Sequence, residues 1–263
     1  MDIVVIVKCV PDTADAEITI DRTGKDIDKE GLAFDINEWD NYAMEEAVQL
    51  KERLGGSVTA VGVGSEEVEE VLRRCIALGA DEAIRLDDPA FAGGDNYATA
   101  VLLAAAIRNL PHDLILTGMM ASDDGDGQVG GAVAQLLGLP CTTMVTRIEV
   151  ESGKVRVRRE LEGGLEEQLE IAIPALVTVQ TGINEPRYVP IAGIRRAARR
   201  EIASLGLAQL GLRPEQVGAA AARVEVEELL LPRADKVGET LQGSPDAVAE
   251  QLVAIFGRKG WVG

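Results

Sequence analysis

The residues best placed for chemistry lie in one stretch, Leu114 to Gly131, which reads LILTGMMASDDGDGQVGG. Leu114 to Leu116 is a short apolar run of the kind that forms a buried strand, and it breaks at Gly118. The loop that follows carries Gly118, Gly125, Gly127, Gly130 and Gly131. Ala132, Val133, Leu136 and Leu137 then recur at helical spacing and end at Gly138, a C-cap signal. Strand, glycine-rich loop and helix together aim backbone N–H groups at a phosphate, because a helix N-terminus carries partial positive charge. No Lys-Ser/Thr pair follows the glycines, so the stretch is not a P-loop, and it is read as lacking the G-x-G-x-x-G spacing of a dinucleotide site. Asp123, Asp124 and Asp126 repel a polyphosphate unless they point outward or act at the helix N-terminus. A single phosphate held by main-chain amides suits the loop better than a hydrolysed triphosphate. The plainer reading is a strand-to-helix connection with no ligand.

The rest of the composition narrows the chemistry. The 263 residues suffice for a large core, in one domain or one domain plus an arm. Hydrophobic residues make up 46% and aromatics only 3%, so Ala, Val, Leu and Ile must build the interior. A net charge of −18 argues against nucleic acid or an anionic membrane as partner. No apolar stretch is long enough to span a bilayer, and Met1 runs directly into Ile3–Val7 with no signal peptide; a cytoplasmic protein is expected. Cys9, Cys75 and Cys141 are far apart and His112 is the only histidine, which disfavours disulfide scaffolds, metal centres and cysteine–histidine nucleophiles. Cys75 reads as core and His112 as a loop residue. The chain has little machinery for catalysis of its own, and no catalytic or metal-ligating residue is assigned.

The elements that must position the loop follow a βαβ rhythm. Ile3 to Val7 is continuously apolar, as in a parallel strand covered on both faces. Lys8 to Thr13 reads as the loop at its C-terminal end, where open α/β sheets place ligands. Ile18, Ile20 and the turn at Thr23-Gly24 suggest a small hairpin. Asn37-Glu38-Trp39-Asp40 opens a helix with Ala43, Ala47, Val48 and Leu50 inward, and Asn37 or Asp40 reads most simply as its cap. Val58 to Val63 is a second strand, followed by a helix carrying Val68, Val71, Leu72 and Cys75 inward. Ala83 to Leu86 is a third strand, and an Ala-rich helix runs from Tyr97 to Leu110 before the central strand and loop. These alternations imply an α/β fold with a doubly wound, mostly parallel sheet.

After Pro140 the pattern changes to Met144–Val150, Val155–Arg159, Gln168–Ile173 and Ala175–Val179, strands separated by glycine turns and read as hairpins added to the sheet. Asn184 to Tyr188 is an exposed, proline-punctuated loop. Arg195, Arg196, Arg199 and Arg200 form the basic cluster of an acidic protein, most simply the solvated face of a short helix. From about Leu205 the pattern weakens, residues 233 to 244 are polar and without period, and Pro245-Asp246 starts a terminal helix. Such a tail cannot bury much alone, so it packs on another chain or wraps its own domain.

Several blocks resemble the β subunit of electron-transfer flavoproteins. The most specific are Val157-Arg158-Arg159-Glu160-Leu161-Glu162-Gly163-Gly164-Leu165-Glu166-Glu167-Gln168-Leu169, then Pro174 to Thr178, and Asn184-Glu185-Pro186-Arg187-Tyr188. Val7 to Asp12, Gly79-Ala80-Asp81 and Asp124 to Gly130 also align. The resemblance implies an adenine nucleotide α-hydrolase-like, Rossmann-like fold, with residues 1–223 as nucleotide-binding domain and 224–263 as an arm against a larger α subunit. It implies that the α subunit holds most of the redox-active FAD while this chain binds AMP structurally. On that template Ile6, Asn37, Glu38, Trp39, Asp40, Val63, Gly118, Met119, Met120, Ala121, Ser122, Asp123, Asp124, Gly125, Asp126, Gly127, Gln128 and Val129 surround the nucleotide. Thr181 to Tyr188 corresponds to a loop that anchors partner dehydrogenases, with Ile183 at its tip and Asn184, Glu185, Pro186, Arg187 and Tyr188 beside it. Flavin dehydrogenases such as acyl-CoA dehydrogenases are the implied donors, and a quinone or iron–sulfur oxidoreductase the implied acceptor.

Two departures from the family pattern bear on the ligand. Asn37-Glu38 stands where the family often has Asn-Pro, and arginines replace the usual lysine-rich stretch after the recognition loop. Some members hold a second FAD in the β site and bifurcate electrons from NADH; Val10 to Thr13 and Asp95 before the Ala-Thr-Ala helix lean that way, whereas Asn184 to Tyr188 and Gly127-Gln128 lean to the AMP-binding carriers. Outside the family, a nucleotide-dependent ligase is the competing class. It needs a basic or metal-binding group beside the phosphates; the loop aspartates could bind Mg²⁺, but no nearby lysine or arginine is expected to offset a triphosphate.

Overall fold

The computed structural model describes every residue except 14, 15, 17, 233–237, 239 and 263. Strand β1 (Asp2–Ile6) lies inside the sheet, and its side chains serve two cores. Ile3 and Val5 point to one face, packed under α1 (Glu38–Leu54) and α2 (Glu66–Leu78). Val4 and Ile6 point to the other, under α3 (Asn96–Ile107) and α4 (Val129–Leu137). The period of two along a strand delivers apolar side chains to both faces, which is why the run is continuous rather than alternating.

The chain leaves β1 through a ribbon of β2 (Cys9–Pro11) and β3 (Phe34–Ile36), then builds β4 (Ser57–Val63) and β5 (Glu82–Leu86) on one side of it. It then crosses to the other side as β6 (Leu114–Gly118). A hairpin series β7 (Cys141–Glu151), β8 (Lys154–Leu161) and β9 (Leu165–Ala172) precedes β10 (Ala175–Val179), which inserts between β6 and β7. With β11 (Ala203–Leu205) at the far edge, the order is β11-β5-β4-β1-β6-β10-β7-β8-β9. Pairs from β11 to β7 are parallel, while β7–β8 and β8–β9 are antiparallel. The doubly wound sheet and the β7–β8–β9 hairpins therefore agree with the sequence pattern, whereas Ala175–Val179, read with those hairpins, is instead a parallel strand inside the sheet. Successive connections leave β1 and β6 in opposite directions, which opens a crevice at their C-terminal ends.

Two segments differ from the sequence pattern. Val10-Pro11, read as loop, pairs antiparallel with Phe34–Asp35; proline is tolerated at the end of such a short ribbon. Leu205, where the pattern seemed to fade, ends a strand of the main sheet, and beyond it Leu210 and Val217 are buried in the second core. A three-residue strand is too short to display a period. The hairpin at Thr23-Gly24 closes through an Ile20–Ile27 bridge; Ala14, Asp15 and Glu17 lie outside the described residues. Past the short helices α5 (Ile191–Ala197), α6 (Leu207–Leu210) and α7 (Gly218–Ala221), no described residue after Gly218 is buried. The last helix, α8 (Pro245–Arg258), starts where expected, with Ser244 Oγ accepting the Ala247 amide at 3.3 Å. Among the described residues no helix is long and apolar enough to cross a membrane.

Candidate functional site

The first turn of α1 sits against the crevice, and its polar side chains do not cap their own helix. Asn37 occupies the N-cap position but makes no cap bond. Its Nδ2 donates to the Met120 carbonyl at 2.8 Å, and its Oδ1 accepts the Ser122 amide at 3.2 Å. Asp40 accepts the Lys8 amide on Oδ2 at 2.8 Å and the Gly118 amide on Oδ1 at 2.7 Å. The capping reading is corrected: both residues hold backbone of other elements, a partnership across the fold that local spacing cannot reveal. Burial pushes the Asp40 carboxyl up to about 6, against the Lys8 and Gly118 amides that hold it down. Trp39 donates from Nε1 to Gln180 Oε1 at 3.0 Å, and Glu38 is exposed.

Loop 119–128 bridges β6 and α4. Gly118 is required where it is because a Cβ there would stand 2.6 Å from both Asp40 Oδ1 and Trp39 Cβ. The reading that the G-x-G-x-x-G spacing is absent is corrected: Gly125, Gly127 and Gly130 have it, but the first of them comes seven residues after β6 ends at Gly118, so this is not the tight turn of a dinucleotide fingerprint. Gly130 nonetheless has that motif's packing role, since a Cβ there would meet Thr178 Cγ2 at 2.7 Å and Thr117 Cγ2 at 3.0 Å. No side chain caps α4, so the first amides of that helix are left to another partner. Ser122 to Gln128 face solvent.

The expectation that no cation lies near the loop is overturned. Lys8 Nζ donates to Asp123 Oδ1 at 2.7 Å and to Asp124 Oδ2 at 2.9 Å. Burial disfavours its charge, yet the two carboxylates outweigh that and hold the ammonium above the usual lysine range. Asp126 Oδ2 accepts from Asn96 Nδ2 at 2.6 Å, which joins the loop to the start of α3. Sequence offered one signal for Lys8, its place just after the first strand. Ile6 closes β1 and Val63 closes β4, so both sit at strand ends near the crevice. Among the described residues no cluster of His, Cys, Asp and Glu has the arrangement of a metal site.

The segment 183–188 lies apart, over α1. Asn184 Nδ2 donates to Tyr42 O and Glu46 Oε2, each at 3.1 Å. Arg187 is forked between Glu45 and Glu52, with Nε to Glu45 Oε2 at 2.8 Å and Nη1 to Glu52 Oε1 at 2.7 Å. Ile183, expected at an exposed tip, is half-buried and packs against the first core; Pro186 is also half-buried, while Glu185 and Tyr188 are exposed. Arg195, Arg196, Arg199 and Arg200 line an open cavity of about 560 Å³ on the outside of α5.

A doubly wound sheet with a glycine loop over its switch point and an uncapped helix behind that loop defines a Rossmann-like α/β class of protein. The electron transfer flavoprotein domain model matches residues 26–210. The chain is 38% identical to the electron transfer flavoprotein subunit beta of Bacillus subtilis, over 97% of each chain. It is 38% identical to the caffeyl-CoA reductase-Etf complex subunit CarD of Acetobacterium woodii, over 98% of this chain and 99% of the relative. It is 36% identical to protein FixA of Azotobacter vinelandii, over 97% and 94%. The chain belongs to the electron transfer flavoprotein family, as a homologue of its beta subunits.

Proposed function

We propose that this chain is the β subunit of a heterodimeric electron carrier and holds AMP as a structural ligand in the crevice between β1 and β6. The uncapped N-terminus of α4 carries the reading: it ends a glycine loop and offers amides and partial positive charge to one phosphate. Lys8 neutralises only part of the charge of Asp123 and Asp124, which suits a mononucleotide better than a longer phosphate chain. The larger α subunit supplies the site for most of the redox-active FAD, in keeping with the name borne by the relatives. Electrons arrive from flavin dehydrogenases, of which acyl-CoA dehydrogenases are one class, and leave to a quinone or iron–sulfur oxidoreductase. In this reading the chain contributes binding and geometry rather than a catalytic group. Residues 224–263 are the arm that covers the α subunit, and residues 183–188 form the docking loop, with the Tyr188 side chain fully in solvent at 98% exposure.

A second reading has a specific support. The relative from Acetobacterium woodii is named as part of a reductase complex, and Asn96 at the start of α3 reaches the same loop. On that reading a second FAD replaces AMP and the complex bifurcates electrons. Acid release of nucleotides from the purified complex decides. One AMP and one FAD per heterodimer are expected; two flavins and no AMP favour the second reading, and no nucleotide at all sinks both.

A further inference from the structure

Asp40, which the resemblance sets beside the nucleotide, is a buried carboxylate, only 4% exposed. Both its oxygens are taken by main-chain donors, the Lys8 amide at 2.8 Å and the Gly118 amide at 2.7 Å. The Gly118 amide ends β6, and the Lys8 amide lies two residues past β1, at the place where the two chains part. The β1–β6 ladder runs from Ile3 and Leu114 to Ile6 and Thr117 and stops there. Beyond it, Lys8 turns toward β2 and Met119 toward the glycine loop, and the Asp40 carboxylate lies between the two chains.

We infer that Asp40 is a positioning residue: its carboxylate stands in for the missing rung between β1 and β6 and fixes where loop 119–128 stands over the crevice. Lys8 carries the effect to one side of the loop, since its ammonium holds Asp123 and Asp124. Gly118 carries it to the other side, because the loop starts at the next residue. A carboxylate suits the place uniquely. Two N–H groups approach from different segments, so an acceptor is needed on both oxygens; Asn presents a donor to one of them, and Ala leaves two amides without a partner. Glu has no room, given that a single added carbon on Gly118 already stands 2.6 Å from Asp40 Oδ1. The ligand named in the test rests on the AMP reading; the strut geometry does not.

The test uses the full chain stripped of nucleotide, with AMP titrated by calorimetry and amide hydrogen exchange read at single residues. Asp40→Asn is expected to keep the fold and raise the Kd for AMP by about tenfold or more, as loss of supporting residues around a site does. Exchange at Lys8 or Gly118 should accelerate while Val5 and Leu116 stay protected. AMP affinity within about twofold of wild type in a folded variant overturns the inference. If wild type binds no AMP, the nucleotide reading fails instead, and exchange alone decides: faster at Lys8 or Gly118 supports the strut, and unchanged exchange overturns it. If Asp40→Asn does not fold, the same measurements on Asp40→Ser, which keeps one small acceptor, decide.

Discussion

Gly130 and Gly131 are adjacent in α4 and equally poor helix formers, but their surroundings separate them. Replacing either by Ala gains up to about 1 kcal/mol of helix propensity. At Gly131 nothing lies within 4 Å of the new Cβ, so Gly131→Ala is expected to stabilise the protein by roughly that amount. At Gly130 the methyl meets Thr178 Cγ2 at 2.7 Å, and overpacking of this kind costs about 1–3 kcal/mol, so Gly130→Ala should destabilise. Urea titration of both variants checks the opposite signs. Asp40 gives a pH dependence at the same scale. Its folded pKa of about 6 lies above the ordinary aspartate value of 3.8, so the folded state binds the proton more tightly. The resulting stability is full below the lower value and is lost as pH rises through about 6, a change on the order of 2–3 kcal/mol. The charged or titratable groups coupled to it are Lys8 and, on α2, Cys75, whose thiol burial pushes up to about 12. Comparing urea titrations of wild type and Asp40→Asn from pH 4 to 7 isolates the slope, which the variant should lack.

Among the elements, the 183–188 segment divides into anchored and free side chains. Arg187 meets Glu45, whose side chain is 5% exposed, and Glu52, which is 56% exposed. Arg187→Ala strands the Glu45 charge, so a loss of roughly 2–3 kcal/mol is expected, chiefly from that pair, with the solvated Glu52 adding little. Ile183→Ala should also lower Tm, since Ile183 packs on the core. Tyr188→Ala removes nothing from the fold, the side chain being 98% exposed, and on the docking proposal slows electron transfer from an acyl-CoA dehydrogenase several-fold. Equal transfer by the Tyr188 variant and wild type would remove this residue from the docking surface. The segment's residue types were legible in sequence; their division was not, because Asn184 and Arg187 find their partners on α1, more than a hundred residues earlier.

For the molecule as a whole, apolar side chains left in water point to what lies outside the chain. Val224, Leu230 and Leu231 are 70%, 75% and 67% exposed, and Trp261 is 67% exposed. The arm is clipped to the body at its root. Asp95 Oδ2 accepts the amides of Arg223 at 2.7 Å and Val224 at 3.0 Å, and the Arg223 guanidinium lies 3.6 Å over the Tyr97 ring. Cutting the chain after Arg223 should leave the α/β body folded with a similar Tm, because no described residue beyond Gly218 is buried. On the arm proposal, the same truncation abolishes stable association with the flavin-bearing subunit, as read by sedimentation of the co-expressed pair. Retention of a full-strength heterodimer would show that the arm is not the interface.

The sequence alone determined the doubly wound sheet, the added hairpins and the loop at its centre, because periods of 2 and 3.6 and glycine breaks are local properties of a chain. It also determined the family, through blocks such as Val157–Leu169 and Asn184–Tyr188. Only the tertiary structure decided which groups Asn37, Asp40 and Lys8 bond. In sequence Asn37 and Asp40 look like helix caps and Lys8 like one residue after a strand. Their partners, Met120, Ser122, Gly118, Asp123 and Asp124, lie roughly eighty to more than a hundred residues away. Strand order brings them together: β6 crosses to the free side of β1, so the loop after β6 comes to rest over the first turn of α1. A hydrogen bond depends on separation in space, and that separation exists only once the crossover has been made.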